Sequence, residues 1–544
     1  MRKPIFQNIQ SVKSRYMHQF GGLSRTEEIA ENEASDMKNG SSRSFPCFAP
    51  AKGRKTIAEV SGIECAISPR LISGEKIESF TGVASDRFYY NGEEKFTLTP
   101  QDRVRCLVDF NGNILIFPDK KYYSYVDDSY GEIAASVSGA VGFSVVSTDG
   151  AKENRIKLAS GLSDVFKKGD SITIACTEKR NCTYQIASKY EQAQSGDIVS
   201  CVVGSVISDT EISVSCYDRD AEYVFFKEGT YENTTLSRAM PDIVIACTAN
   251  NRVFGADQFG ETIYASKLGD FKNWNVFEGL STDSWYGSVG TEGPFTALCS
   301  LGSQVVAFKD NYIHQLYGET PNNFAIPKQI AGGCIDGRSV AQIRGQLFYL
   351  AHDGVYVFAG GNPVKISSAL SLCATGGVGG TDGARYYISV EKADGTELLV
   401  YDAECDMWHK EDEFSAVSFI KYNDKLYAAD ENTLYEIGSG DTGEWFWQSK
   451  CFDETDMNLS AVVNLYVKAE LKENSCLRVL VSCDGGDMTE CAAISYSGRK
   501  AVRVPVRFRA SESYQIRIAG KGDAQIKAIE RVVYSGGRNE TARV

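Results

Sequence analysis

The chain has 544 residues, of which 43% are hydrophobic and 24% are charged, and these ordinary globular values exclude wholesale disorder. Its 50 Gly, 28 Tyr and 27 Phe, against 12 Pro, indicate short strands joined by tight turns, and only four His leave little room for His-based catalysis. A net charge of −14 argues against a protein that coats nucleic acid, because phosphate binding needs clustered Lys and Arg.

Residues 1–55 lack a sustained periodicity and are predicted to form an extended basic arm. They hold ten Lys/Arg and five Asp/Glu, whereas the rest of the chain holds 47 basic and 66 acidic residues. Such an arm either floats as a solvated tail or docks onto an acidic partner. A short helix is predicted from about Arg25 to Lys38, capped by Ser24 or Thr26. The candidate assembly residues of the arm are Arg15, Arg25, Lys38, Arg43, Lys52, Arg54 and Lys55.

From residue 56 a hairpin pattern recurs, in which an apolar strand, a turn of Asn, Asp or Gly and an aromatic-rich strand follow one another. Such segments lie at 86–98, 107–125, 251–266, 303–318, 345–361, 384–408 and 424–437. Apart from one large gap, their spacing of roughly 35–50 residues is typical of four-stranded propeller blades. Residues 56–132 and 241–444 are therefore predicted to form a β-propeller of about six blades, with five or seven as alternatives. A stack of β-sandwiches is the competing interpretation.

Two further β-rich regions interrupt or follow this pattern, so the predicted fold class is all-β. Residues 133–240 contain alternating strands with Gly-Asp turns and are predicted to form an inserted small β-barrel domain. Residues 445–544 show polar/apolar alternation and are predicted to form a C-terminal antiparallel β-sandwich of the jelly-roll type. The basic side chains predicted to face outward from it are Lys468, Arg478, Arg503, Arg507, Arg509 and Arg517.

The 16 Cys are scattered singly, and many lie in strand-like apolar segments such as 106–110 and 171–176. The start of the chain lacks the apolar core of a secretory signal, and no apolar run approaches the roughly 18 residues of a membrane span. We therefore expect thiols that are buried as small hydrophobic groups, no membrane segment, and a protein made and assembled in a reducing cytoplasm.

The sequence contains no Walker phosphate loop, no G-x-S-x-G elbow and no H-E-x-x-H motif. His352 and His409 could meet at one propeller face, although hydrogen-bonded positions at strand ends explain both. The carboxylates of 484–487 and the pair Asp402 and Asp406 could face calcium, but turn formation explains them equally. The sequence thus predicts no enzyme activity, no cofactor and no metal site.

The most distinctive segment is residues 263–298, which is too long and specific to be a generic hairpin. Its candidate fold-signature residues, together with one Trp from a later segment, are Gly269, Asp270, Trp274, Asp283, Trp285 and Trp408. With 20–50, 251–255, 305–318, 347–367 and 401–412, this segment resembles β-propeller virion proteins of tailed phages and prophages. The resemblance extends over about residues 18–536.

Within that group, the chain is similar to packaged-DNA stabilisation proteins of the head–tail junction and to tail nozzle proteins of short-tailed phages. The resemblance implies a non-enzymatic virion protein of the neck or tail, whose copies form a six-fold ring that extends the DNA channel and helps retain packaged DNA. Implied partners are further copies of the chain, portal, adaptor or other tail proteins, and genomic DNA in transient passage. The insertion at 133–240 departs from those analogues.

Two other functions compete with this interpretation. A receptor- or carbohydrate-binding tail protein would present aromatic side chains to a sugar, and residues 445–448 are its best candidate surface unless they form a domain-junction core. A propeller hydrolase is the third possibility, and the sequence lacks the motifs that would support it.

Overall fold

The computed structural model describes residues 11–70, 75–148, 151–176, 184–186, 200–217, 223–257, 259–327, 329–453 and 459–535. The first ten residues of the predicted arm and Cys182 lie outside these ranges. The chain divides into two compact units, one formed by Met1–Glu94 with Arg338–Val544 and the other by Lys95–Gly337. The described helices are α1 (Leu162–Val165) and 3₁₀ turns at Ser42–Ser44, Pro321–Asn323, Gly337–Ser339 and Ser368–Leu370. None of these helices has the length and apolar character needed to cross a bilayer.

The N-terminal segment is made of short strands: β1 (Ser11–Met17), β2 (Ala34–Lys38), β3 (Gly40–Ser41), β4 (Ala49–Pro50) and β5 (Lys55–Glu59). The helix predicted over residues 25–38 is wrong. Residues 34–38 pair instead with the distant strand residues 446–449, which buries the side chains of Ala34 and Met37. This long-range pairing outweighs local helix propensity, which is a weak preference.

Seven four-stranded antiparallel sheets, each with its strands in blade order, occur in the described residues. Sheet 1 contains β6 (Ile63–Ala66), β7 (Gly82–Ala84), β8 (Arg87–Tyr90) and β9 (Glu93–Thr97). Sheet 2 contains β10 (Cys106–Phe110), β11 (Asn113–Phe117), β12 (Lys121–Ser124) and β13 (Ser129–Glu132). Asn91-Gly92 and Asn111-Gly112 join strands of these sheets with positive φ at all four residues, as two-residue hairpin turns require.

Between sheets 2 and 3 the chain forms one eight-stranded sheet that is a half-barrel. Its strands are β14 (Ala135–Thr148), β15 (Ala151–Lys157), β16 (Thr173–Cys176), β17 (Tyr184–Ile186), β18 (Ser200–Ser208), β19 (Glu211–Tyr217), β20 (Tyr223–Phe226) and β21 (Gly229–Arg238). Alternating side chains of β14, β15 and β18 to β21, with Leu162 of α1, bury one hydrophobic core, which includes Phe143, Ile156, Val214 and Phe226.

Sheets 3 to 7 follow in chain order. Sheets 3 and 4 contain β22 (Ile243–Ala249), β23 (Arg252–Asp257), β24 (Thr262–Ala265), β25 (Trp285–Ser288), β26 (Phe295–Leu301), β27 (Gln304–Lys309), β28 (Tyr312–Leu316) and β29 (Gln329–Ala331). Sheets 5 and 6 contain β30 (Ala341–Ile343), β31 (Gln346–Ala351), β32 (Gly354–Phe358), β33 (Val364–Lys365), β34 (Gly376–Thr381), β35 (Arg385–Lys392), β36 (Gly395–Asp402) and β37 (Met407–Lys410). Sheet 7 contains β38 (Ser418–Tyr422), β39 (Lys425–Ala429), β40 (Thr433–Glu436) and, as its fourth strand, β5.

Successive sheets contact one another through their first strands, the arrangement of inner strands in a propeller. In the unit Lys95–Gly337, β10 contacts β22 and β22 contacts β26. In the other unit, β30, β34, β38 and β6 make consecutive contacts, so sheet 7 lies against sheet 1. Since β5 completes sheet 7 and β6 begins sheet 1, the segment at 55–66 joins the end of the repeat series to its start.

The C-terminal strands are β41 (Glu444–Ser449), β42 (Ser460–Leu471), β43 (Cys476–Cys483), β44 (Thr489–Ile494), β45 (Gly498–Pro505), β46 (Tyr514–Lys521) and β47 (Ala524–Ser535). They form a sandwich of two sheets, with the orders β1-β47-β42-β45 and β2-β41-β46-β43-β44. Arg531 of β47 reaches from one sheet to the other, because it donates a 3.1 Å hydrogen bond to the Tyr514 hydroxyl. The described part of the predicted arm is therefore not free: β1 and β2 are strands of this sandwich.

Candidate functional site

Three arginines of the N-terminal segment form ion pairs with acidic residues in or just beyond sheet 6. Arg25 donates two hydrogen bonds of 2.9 Å to the two carboxylate oxygens of Glu397. Arg54 pairs with Asp412 and lies over the Phe414 ring, and Arg43 contacts Asp382 at 3.2 Å. The acidic partner expected for the basic arm is thus provided, at these three positions, by the chain itself.

The other candidate arm residues lie at the surface. The side chains of Arg15, Lys38, Lys52 and Lys55 are exposed, and the backbone of Lys38 pairs with Phe446 of β41. None of the seven arm residues lies in a continuous free tail, since residues 11–59 are held by strand pairing at both ends.

Glu397 pairs with more cations than the other two carboxylates do. Besides Arg25, its carboxylate pairs with Lys392 at 3.1 Å and Lys410 at 3.3 Å. Burial alone raises the pKa of Glu397, but the hydrogen bond and charge of Arg25, with help from the two lysines, lower it to about 2. At neutral pH this carboxyl is therefore fully ionised.

Next to these contacts lies a polar cleft with a volume of 660 Å³. One wall is the N-terminal segment around the first 3₁₀ turn and β4. Sheet 6 forms a second wall, and sheet 7 forms a third through its β38–β39 turn and the residues that follow β40. The polar and charged residues that line the cleft include Arg43, Asp382, Arg385, Tyr387, His409 and Glu411.

A network of charges holds the base of this cleft in place. Arg385 pairs through Nε with Asp402 at 2.9 Å and through Nη1 with Asp382 at 3.4 Å. The Ser42 hydroxyl donates a 2.5 Å hydrogen bond to the same Asp402 carboxylate. At the mouth, Arg43 Nη2 also lies 3.2 Å from the Tyr387 hydroxyl. These contacts fix the N-terminal wall against sheet 6.

Two polar side chains of the cleft lack such partners. His409 is 4% exposed, and among the described residues nothing accepts from or donates to its Nδ1. Burial, reinforced by the charge of Arg385, lowers the pKa of His409 to about 3, so its ring is neutral. Burial, reinforced by Asp412, raises the pKa of Glu411 to about 7, so both protonation states of this carboxyl are accessible near neutral pH.

His409 and Glu411 stand two residues apart at the end of β37 and so face the same side of the strand. The sequence indicates His409 but not Glu411, Arg385 or Asp382 as a site residue, and the alternation in 407–412 is the signal that points to Glu411. His352, the proposed companion of His409, is instead exposed in the turn between β31 and β32 of sheet 5.

The carboxylates considered for calcium are occupied by turn hydrogen bonds. Asp402 accepts from the backbone of Glu404 at 2.9 Å, and Asp406 accepts from the Tyr401 hydroxyl at 2.7 Å. Asp484 accepts from the backbone of residues 512 and 513. The described residues contain no group of three His, Cys, Asp or Glu side chains placed to hold a metal ion.

The fold-signature residues of 263–298 shape one long connection within sheet 3. Gly269 has a φ of +73°, and Asp270 accepts hydrogen bonds from the Lys272 backbone and the Asn273 side chain. Asp283 accepts from the backbone N–H groups of residues 278 and 280. These contacts explain why the segment needs Gly and Asp at these turns.

The signature tryptophans fill cores. Trp274 is 3% exposed and donates a 2.8 Å hydrogen bond to the Phe271 carbonyl, and Trp285 packs edge-on against Phe324. Trp408 of sheet 6 is also buried and donates to the Ile366 carbonyl at 2.8 Å.

The two tryptophans of the aromatic surface considered at 445–448 are not at the surface, whereas Phe446 is partly exposed. Trp445 and Trp447 are each 1% exposed. Trp445 packs against Phe48 with ring centroids 5.7 Å apart, and Trp447 packs edge-on against Phe20 at 5.4 Å. These residues form the core between the N-terminal segment and the sandwich, so they present no stacking platform for a sugar.

The fold defines the class of protein. The chain is an all-β protein with a β-propeller, an inserted half-barrel sheet and a terminal β-sandwich. No family model matches it, and no curated protein matches it.

Several solved structures are similar to parts of the chain. Exo-beta-1,3-galactanase from Phanerochaete chrysosporium matches 53% of this chain and 95% of its own, with 10% sequence identity and a TM-score of 0.23. The N-terminal domain of Nup159 matches 55% and 95%, with 9% identity and a TM-score of 0.22. Hsv2p of Kluyveromyces lactis matches 42% and 67%, with 15% identity and a TM-score of 0.25. These likenesses concern fold alone, and no activity is transferred from them.

Proposed function

We propose that the protein is a non-enzymatic structural component of a tailed-phage particle, located in the neck or tail, whose copies form a ring that extends the DNA channel. The sequence resemblance described above suggests this role. The observation that carries it is the way the N-terminal segment fastens the terminal sandwich to sheets 6 and 7.

That segment is bound at three kinds of site. Strands β1 and β2 pair within the sandwich, β5 completes sheet 7, and three arginines pair with acidic residues of or next to sheet 6. A body tied together in this way is suited to carry load, because separating sandwich from sheets would break main-chain hydrogen bonds, ion pairs and aromatic packing together.

Charge supports association between copies. Residues 445–544 carry 15 Lys/Arg and 12 Asp/Glu, whereas the whole chain carries 57 and 71. On edge strand β45 the side chains of Arg499, Lys500 and Arg503 are exposed. A basic edge on an otherwise acidic chain favours head-to-tail contact with an acidic surface of the next copy, and repeated head-to-tail contacts close a ring.

The purified full chain tests this proposal by mass photometry and sedimentation. We expect a closed oligomer at about 50 mM NaCl that weakens at about 500 mM, because salt screens contacts between exposed charges. Combined Arg499→Glu, Lys500→Glu and Arg503→Glu substitutions should release monomers. The matched control reverses the same number of exposed charges in the half-barrel, at Lys157, Lys167 and Lys168, and should remain assembled. A wild-type chain that is monomeric in low salt at every concentration would contradict the ring.

A further inference from the structure

The cleft between the N-terminal segment and sheets 6 and 7 contains polar groups that the chain leaves without partners. His409 Nδ1 is buried and unpartnered among the described residues. No hydrogen bond to the Glu411 carboxyl occurs within the described ranges either, although this side chain belongs to a residue that is only 7% exposed. A buried polar group without a partner destabilises a fold by about 1–3 kcal/mol, and the Glu411 carboxyl, which lines the cleft, can gain such a partner from a ligand bound there.

The charge of the cleft narrows the class of ligand. Its lining side chains include four cationic and four carboxyl groups, and several neutralise one another, as Arg43 does with Asp382 and Lys425 with Glu436. A phosphate or carboxylate ligand would meet carboxyl groups on the walls formed by sheets 6 and 7, and a bare cation would meet Arg43 and Arg385. The polar lining is equally unsuited to an apolar ligand.

Neutral hydroxyl groups suit a cleft whose lining carries both cationic and carboxyl groups. A hydroxyl both donates and accepts, so it can form a hydrogen bond with a carboxyl in either protonation state. Arg43, whose side chain is 58% exposed, can donate from the mouth of the cleft. The volume of 660 Å³ falls within the range of about 300–1,000 Å³ that small-molecule sites occupy.

We infer that this cleft binds a neutral polyhydroxylated ligand, a saccharide, through Glu411 and Arg43. The site is independent of the proposed ring, since every residue that lines it belongs to one chain and one compact unit. It also differs from the aromatic surface at 445–448, whose two tryptophans are buried.

Binding is tested by saturation-transfer NMR and calorimetry on the full chain, at about 500 mM NaCl so that self-association does not interfere. The probes are lactose, maltose, cellobiose and N,N′-diacetylchitobiose, with glucose 6-phosphate as the anionic comparison. We expect saturable binding of at least one neutral disaccharide and weaker binding of glucose 6-phosphate. No binding by any of the four disaccharides, or tighter binding of glucose 6-phosphate, would overturn the inference.

Variants then locate the site. Glu411→Leu removes the carboxyl at similar volume and should lower the affinity for the neutral disaccharide by about tenfold or more. Glu411→Gln keeps a hydrogen-bonding group, so its affinity should stay within about threefold of wild type. Glu391→Leu makes the same change at an exposed position of β35 outside the cleft and should bind as wild type. Arg43→Ala, at a half-exposed side chain, should weaken binding about threefold even if Glu411→Leu does not fold. Equal affinity of wild type, Glu411→Leu and Arg43→Ala would overturn the assignment.

Discussion

Glu397 and Glu411 lie close in sequence, yet their surroundings move their pKa values in opposite directions. Glu397 is buried among three cations, and its pKa falls to about 2 because Arg25, Lys392 and Lys410 outweigh the effect of burial. Glu411 is buried without a hydrogen-bonded cation, and burial raises its pKa to about 7. The two carboxyls should therefore affect the free energy of unfolding in different pH ranges and with opposite signs.

Glu397→Gln should lower the free energy of unfolding at neutral pH. Because the pKa of the folded state lies below the ordinary 4.5, the carboxylate stabilises the fold above pH 4.5, and this contribution disappears as pH falls through about 2. We expect a loss of about 2 kcal/mol at pH 7 and little difference near pH 2. Urea unfolding at pH 7, 4 and 2 measures this loss of unfolding free energy. Glu391→Gln is the exposed control, and a loss that is unchanged at pH 2 would contradict the ion-pair explanation.

Glu411→Gln should stabilise the protein at alkaline pH. Because the folded state raises the pKa from 4.5 to about 7, the fold favours the protonated carboxyl, and the free energy of unfolding falls as pH rises through this range. A neutral Gln avoids this penalty, so we expect a gain of about 2 kcal/mol at pH 8 and almost none at pH 4. Urea unfolding at the same series of pH values, extended to pH 8, measures this gain in unfolding free energy. A Glu411→Gln variant that is less stable than wild type at pH 8 would show that the carboxylate is better solvated than its burial indicates.

At the scale of elements, the sequence predicted local structure well and distant pairing poorly. Asn91-Gly92 and Asn111-Gly112 determine their hairpins through their own backbone preferences, and the repeated hairpins lead to the blade-type sheets. The helix predicted over 25–38 is wrong because β2 gains its hydrogen bonds from β41, more than 400 residues away. Likewise, nothing local indicates that Glu411 and Arg43 line one cleft.

The attachment of the N-terminal segment depends on Phe20. This side chain is 3% exposed and packs against Trp447 and Phe48. Phe20→Ala should lower the free energy of unfolding by about 3 kcal/mol and expose the bond after Arg25 to trypsin, since the segment would detach locally. Urea unfolding and timed trypsin digestion with mass spectrometry measure both effects.

Tyr16→Ala is the matched control for Phe20→Ala, because Tyr16 is an aromatic residue of β1 whose side chain is 61% exposed. It should change neither stability nor the digestion pattern appreciably. Rapid trypsin cleavage after Arg25 in the wild-type chain would instead favour the free arm that the sequence predicted.

At the scale of the whole molecule, the accessible positive charge lies elsewhere than in the basic arm that the sequence predicts. Arg25, Arg43 and Arg54 are engaged with acidic groups of the same chain, so they are poor candidates for contact with another protein. Edge strand β45 and the exposed Arg507 and Arg509 that follow it form a more accessible basic surface. Composition located the basic excess in the arm, but only the fold distinguishes internal ion pairs from surface charge.

The cysteines allow a test that covers both compact units. Cys373, Cys451 and Cys476 are exposed, whereas Cys201, Cys216 and Cys334 are buried. Cys201 and Cys216 face each other across β18 and β19 with their sulfurs 3.1 Å apart, and burial, reinforced by Cys201, raises the pKa of Cys216 well above its ordinary value. Since the thiolate is the reactive form, the buried thiols should react slowly.

Iodoacetamide at pH 8 should therefore modify the three exposed cysteines within minutes and the three buried ones only after unfolding in guanidinium. Mass spectrometry of the peptides measures each site, and the unfolded sample is the control for intrinsic reactivity. Because the sequence predicts thiols and no disulfide framework, dithiothreitol should leave Tm unchanged within about 1 °C. A fall of several degrees on reduction, or protection of Cys373, Cys451 and Cys476 in the unfolded chain, would reveal disulfides in the purified protein.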